Sequence, residues 1–240
     1  MRYARNTIVL TAVAVLSLAV VALAGPEITI PEPTFDFGHV VQHAKVSHRF
    51  IIKSTGDDTL QITKIDPGCG CTQAPLADSV LAPGESTYLD LFFSTKSYRG
   101  KVDKKPYFLT NINKEKVYLG ISGTLRPKDE PGHPIHIDPP IMDVSQFTPK
   151  PRRQASVWIH NLEKREYQLG LVDYADHVFE IKFPESIPAN DSARVRIRIH
   201  ESMVDQEFEH SITFSIDDPS DTRFTIPIKR MLRIKDRSGS

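Results

Sequence analysis

The chain carries two cysteines, Cys69 and Cys71, set one residue apart in Asp66-Pro67-Gly68-Cys69-Gly70-Cys71-Thr72. In an extended strand, residues i and i+2 point the same way with Cα atoms about 6.6 Å apart. That is close to the outer limit of about 6.8 Å for a disulfide. Gly70 can take backbone angles that shorten the span, so a Cys69–Cys71 bridge is possible but strained, and strained bridges are the more easily reduced. It would close too small a loop to act much through the unfolded state. Two thiolates from one loop, completed by histidine, would instead make a soft site for copper or zinc. His39, His43 and His48 lie upstream as supporting ligands. A third reading is a thiol pair exchanging disulfides with a partner, although the Cys-x-x-Cys motif that lowers a thiol pKa is missing. The plainest reading is a packed turn that needs no cofactor.

A second group is Arg194, Arg196 and Arg198, which alternate with Val195, Ile197 and Ile199. On a strand this makes one outward basic stripe. The stripe is expected either to be solvated and paired with acids such as Glu207 or Glu209, guarding a sheet against edge-to-edge pairing, or to contact an anionic polymer or lipid head group through its guanidinium groups. Other chemistry finds little support. No Gly-x-Ser-x-Gly nucleophile motif and no phosphate-binding glycine loop occurs, so no enzyme is expected. His133-x-x-His136-x-Asp138 has ligand types but sits in a proline-rich connector.

The frame that must position these residues is legible in outline. In 240 residues, 40% are hydrophobic and 25% charged, as in ordinary globular proteins. Lysine plus arginine equals aspartate plus glutamate at 30 each, so no global basic field exists to draw nucleic acid. Arg2 and Arg5 precede an apolar run from Ile8 to Ala24 ending in Ala22-Leu23-Ala24. That pattern reads as a secretory signal over residues 1–24. An uncleaved anchor is the rival, at about 17 residues against the roughly 20 that span a bilayer. Nothing later is long and apolar enough to span, so no membrane span is expected in the mature chain.

Beyond the signal, short runs of period two alternate with Pro, Gly, Asn and Asp, as in Val46, His48, Phe50, Ile52 and in Leu89, Leu91, Phe93. The order of features then recurs at an offset of about 107 residues. Phe35-Asp36-Phe37 answers to Met142-Asp143-Val144, and Phe50-x-Ile52-x-Ser54 to Val157-x-Ile159-x-Asn161. Leu81-Ala82-Pro83-Gly84-Glu85-Ser86 answers to Ile187-Pro188-Ala189-Asn190-Asp191-Ser192, and Val117-x-Leu119-x-Ile121 to Phe224-x-Ile226-x-Ile228. Units of this size and grain predict an all-β chain of two tandem immunoglobulin-like β-sandwich domains, residues 27–126 and 135–234. Residues 127–134 form a proline-rich linker, stiff enough to restrict the angle between them, and the polar tail from Lys235 is expected to fray.

The ordered set Phe35-Asp36-Phe37-Gly38, Val46-x-His48-x-Phe50, Gly56, Leu60-x-Ile62, Cys69-Gly70-Cys71-Thr72, Ala82-Pro83-Gly84-Glu85-Ser86, Gly100 and Thr110-Asn111 resembles the bacterial family of exported Cys-Gly-Cys-Thr domains of unknown function. That family is related to Hydin-type (ASH) and major-sperm-protein-like immunoglobulin folds. The resemblance covers about Ile28 to Leu125. It departs at Ser54, where the family tends to have Asn; Asn161 holds the corresponding place in the second unit. The resemblance implies an exported β-sandwich and no established activity. Together these readings predict a non-enzymatic binding or scaffolding protein of the cell envelope, periplasmic or extracellular. Its partner would be a protein or envelope component, recognised through sheet edges or loops. The alternative is a metal- or redox-linked accessory protein acting through Cys69 and Cys71.

Overall fold

The structure, a computed structural model, describes residues 25–113 and 115–232. The signal read over residues 1–24 and the tail beyond Leu232 lie outside the described residues. Period-two alternation becomes strand throughout. The first half holds β1 (Ile28–Thr29), β2 (Thr34–Val41), β3 (Lys45–Ser54), β4 (Leu60–Asp66), β5 (Thr72–Gln73), β6 (Val80–Leu81), β7 (Ser86–Ser94), β8 (Gly100–Lys104), β9 (Tyr107–Thr110), β10 (Lys116–Tyr118) and β11 (Gly120–Arg126). The second half holds β12 (Ile135–Asp138), β13 (Met142–Asp143), β14 (Gln154–Asn161), β15 (Tyr167–Tyr174), β16 (Phe179–Lys182), β17 (Ser186–Ile187), β18 (Ser192–Ile199), β19 (Phe208–Ile216) and β20 (Arg223–Arg230), with one 3-10 turn at Glu201–Met203.

Two apolar cores follow from which side chains face inward. One gathers Phe35, Phe37, Val46, Phe50, Ile52, Leu89, Leu91, Phe93 and their neighbours; the other gathers Ile135, Val157, Ile159, Val195, Ile197, Phe214, Phe224 and theirs. Each core lies between stacked sheets, so the chain is two immunoglobulin-like sandwiches in tandem. The internal repeat is also a repeat of register. Ile28 faces Ser54 on the β1–β3 pair, and Ile135 faces Asn161 on β12–β14. Likewise Phe50 faces Leu89, and Val157 faces Val195.

The Ser54/Asn161 difference has a physical consequence. Asn161 Nδ2 reaches the carbonyls of Arg165, Ile187 and Pro188, tying β14 to the following turn and to the β17 region. Ser54 is shorter, and its buried hydroxyl has no hydrogen-bond partner among the described residues.

The modules are joined by more than the proline-rich connector. One sheet runs β17-β15-β19-β20-β2-β11-β8, so strands of both halves share it. The crossing is a parallel pairing of β2 with β20 at His39 and Phe224, whose rings stack 5.3 Å apart. Buried hydroxyls complete it. Thr225 donates to the Phe37 carbonyl at 2.6 Å, while the Ser47 N–H donates to Ser211 Oγ at 3.0 Å and Ser211 Oγ donates back to the Ser47 carbonyl. The relative placement of the modules is therefore set by strand pairing and buried hydrogen bonds, where the sequence pointed to linker stiffness alone.

Candidate functional sites

The Cys-Gly-Cys loop connects β4 to β5. Asp66 Oδ1 accepts from the Gly68 N–H at 2.9 Å, turning the chain before the cysteines. That bond, and then the Tyr107 hydroxyl, holds the Asp66 carboxyl below its ordinary pKa. The Ser94 N–H then donates to the Cys71 carbonyl, docking the loop on β7. Cys69 and Cys71 are joined by a disulfide with Cα atoms 5.3 Å apart, shorter than a straight strand allows because the chain turns at Gly70. Cys71 is buried in the first core, and the Tyr98 hydroxyl donates to its sulfur. Cys69 Sγ lies 3.3 Å from Thr72 Oγ1.

The three histidines read as supporting ligands have separate places. His39 lies at the β2–β20 crossing, where burial and then Arg126 hold its pKa below the ordinary value. His43 is exposed in the β2–β3 turn. His48 stacks on Phe35 at 3.8 Å and bonds Asp173. Among the described residues no group of three or more His, Cys, Asp or Glu is arranged to hold a metal.

A second site lies where the modules meet, in a cleft of about 310 Å³. β3 brings Ser47, His48, Arg49 and Ile51 to it; β15 and the turn after it bring Val172, Asp173 and His177; β19 brings His210. Arg49 grips Asp90 through two bonds, at 2.6 and 2.7 Å, and also reaches His177. Ser47 Oγ lies 3.0 Å from His210 Nδ1, and both are buried. Among the described residues no carboxylate is hydrogen-bonded to His210. The cleft is not legible in the sequence. Ser47 and Arg49 alternate with Val46, His48 and Phe50, and nothing local shows that the other module covers them.

Burial pushes the His210 pKa down to about 4; His177 and Arg49 add to the fall, while Asp90 and Asp173 oppose it. The sign for stability follows. The unfolded imidazole takes a proton near its ordinary pKa of about 6.5, whereas the folded one stays neutral until about pH 4. Stability from this group is thus complete above about pH 6.5 and is lost as pH falls toward about 4. Between pH 7 and pH 5 the loss should be about 2 kcal/mol. Urea unfolding at both values checks this; an equally steep fall in His210→Asn would assign the dependence to other groups.

The third site is the arginine stripe, on the central strand β18 of the sheet β12-β14-β18-β16. Arg194, Arg196 and Arg198 are exposed. The acids expected to pair with them are elsewhere: Glu209 bonds Lys45, and Glu207 accepts from the Leu232 N–H, both on the β19 side of the module. The strands flanking β18 are β14 and β16, so Glu180 on β16, facing Arg198, is the nearest acid in register.

Two stacked, mostly antiparallel sandwiches sharing a sheet define a tandem immunoglobulin-like β-sandwich protein. Residues 28–125 match the family described as "Protein of unknown function (DUF1573)". No curated protein matches the chain. Among solved structures, a protein of unknown function from Porphyromonas gingivalis W83 is 15% identical, with 85% of this chain and 99% of that one covered and a TM-score of 0.35. The ASH/PapD-like domain 7 of human CEP192 is 10% identical, covering 42% of this chain and 85% of that one, TM-score 0.34. Vibrio cholerae VesB protease is 11% identical, covering 42% of this chain and 31% of its own, TM-score 0.33. Among the described residues no helix is long and apolar enough to cross a membrane.

Proposed function

We propose that this is a non-enzymatic binding or scaffolding protein of the cell envelope that takes up an extended segment of a partner protein in the inter-module cleft. The observation that carries this reading is a pair of open strand edges on one cleft. On the side of β3 away from β7, β1 occupies Thr29↔Lys53 and Ile28↔Ser54, and Ser211 occupies Ser47. Arg49 and Ile51, between them, have no strand partner on that side among the described residues. On β15, β17 covers Tyr167 and Gln168, and Leu171 to Tyr174 lie beyond it. Ile51 and Val172 line the cleft and are partly exposed. Unpaired N–H and C=O groups beside apolar side chains are what strand addition uses. A location outside the cytoplasm is part of the same proposal and rests on the signal pattern of residues 1–24.

A proline at Val172 removes one edge donor and stiffens the edge. Affinity capture from envelope extract is expected to recover polypeptides with the parent chain and with Cys69→Ser/Cys71→Ser, and to lose them with Val172→Pro. Loss in the cysteine variant and retention in the proline variant would turn the assignment toward the second reading. That reading is thiol–disulfide exchange through the Cys69–Cys71 bridge, whose Cys69 end is partly exposed while Cys71 is buried. Mass analysis after alkylation, with and without reductant, reads the state of the pair.

A further inference from the structure

We propose that the outer face of the β12-β14-β18-β16 sheet binds an acidic polysaccharide lying along β18. This goes beyond the cleft reading and uses a separate surface. Val195, Ile197 and Ile199 point into the second core, which turns Arg194, Arg196 and Arg198 outward. Residues i and i+2 on an antiparallel strand repeat every 6.8 Å or so, so the three arginine side chains leave the same face of β18 one after another. Opposite them in register are Trp158, Ser156 and Gln154 on β14, with Lys182 and Glu180 on β16.

Both ordinary reasons for such a row are missing. β18 is flanked on both sides, so its cations guard no sheet edge. None of the three arginines forms an ion pair with a carboxylate among the described residues; the ion-paired arginines of this module are Arg153, Arg165 and Arg223. Arg194 is the organised member. It donates to Ser156 Oγ from Nε at 3.0 Å and from a terminal nitrogen at 2.7 Å, and its guanidinium carbon lies 5.6 Å from the Trp158 ring centroid.

Trp158 is 45% exposed at one end of the row. A flat indole that keeps an apolar face in water beside an oriented guanidinium suits a sugar ring bearing a carboxylate or sulfate. The linear arrangement selects a chain over a single small anion, since one anion engages one fork. A bilayer surface fits less well, because Trp158 is the one strongly exposed aromatic of this face among the described residues and one aromatic anchors an interface weakly.

The test uses the full chain with immobilised dextran sulfate and polygalacturonate, and neutral dextran as the blank. Binding to the charged polymers is expected to weaken steeply with salt. Arg196→Gln/Arg198→Gln should lower affinity about tenfold or more and flatten the salt slope, since fewer counterions are released per chain bound. Trp158→Ala should lower affinity while leaving the slope unchanged. Lys101→Ala/Lys164→Ala carries the same charge change on other surfaces and should bind as the parent does. An equal loss in that control would show bulk attraction and overturn the site. So would absence of binding to both charged polymers, or retention on phosphatidylglycerol vesicles in their place. Unchanged urea midpoints in the glutamine pair keep the comparison free of unfolding.

Discussion

Replacing Arg230 with Ala should unfold the chain at markedly lower denaturant, with a loss of roughly 3–5 kcal/mol. Arg230 closes β20 with no exposed surface, an unusual place for a guanidinium. It is held there by acceptors from two segments, the β13–β14 connection and the turn before β19. One terminal nitrogen donates to the carbonyls of Val144 and Arg152 at 2.7 and 2.9 Å. The other donates to Gln146 Oε1 at 3.1 Å and to the Val204 carbonyl. One side chain thereby joins β20 to the β13–β14 connection and to the turn before β19. Alanine removes the donors and leaves these carbonyls buried without partners, and each unmade bond costs about 1–3 kcal/mol. Arg230→Lys keeps the charge but brings one compact ammonium where a planar fork spans two directions, so it should recover only part of the loss. Urea midpoints of the three proteins give the comparison; a change within about 0.5 kcal/mol, as for an ordinary surface position, would be incompatible with this role.

Gly38→Ala is the second large effect, and it falls on the joint between modules. Gly38 sits at φ +62°, and a Cβ there would lie 2.0 Å from the Arg223 carbonyl oxygen on β20. The left-handed conformation alone costs a non-glycine residue about 1–2 kcal/mol. The overlap is with backbone, so no rotamer change relieves it, and overpacking of this kind adds about 1–3 kcal/mol. Because β2 and β20 meet beside this residue, at His39 and Phe224, relief requires the strands to part. The parent chain, its modules sharing a sheet, should unfold in one transition. The variant should unfold in two, with the first shifted down and a larger radius of gyration in solution. A single transition at the parent's temperature would falsify the account of the joint.

Gly38 also shows how far the sequence can be read. Phe35-Asp36-Phe37-Gly38 is visible as a motif, and within it Asp36 accepts from the Gly38 N–H. The pairing of β2 with β11 shifts register here, so Phe37 and Gly38 together stand against Gly123. Why the glycine must have no side chain depends on Arg223, 185 positions later, and no local pattern carries that information. The arginine stripe divides the same way. Its outward direction follows from alternation with Val195, Ile197 and Ile199, but its freedom from acids depends on which strands flank β18. Glu207 and Glu209 looked available in the sequence and stand with β19 instead.

For the Cys-Gly-Cys turn, the spacing and Gly70 make a short bridge feasible; the docking of Cys71 under Tyr98 comes from the fold. Local alternation, turn residues and the repeat suffice for strands and two cores, because period two and burial are properties of neighbouring residues. The cleft with its open edges, the buried Arg230 and the shared sheet arise where residues far apart in the chain are brought together. Their energetics reside in paired backbone and buried polar groups, whose partners a single strand of text does not name.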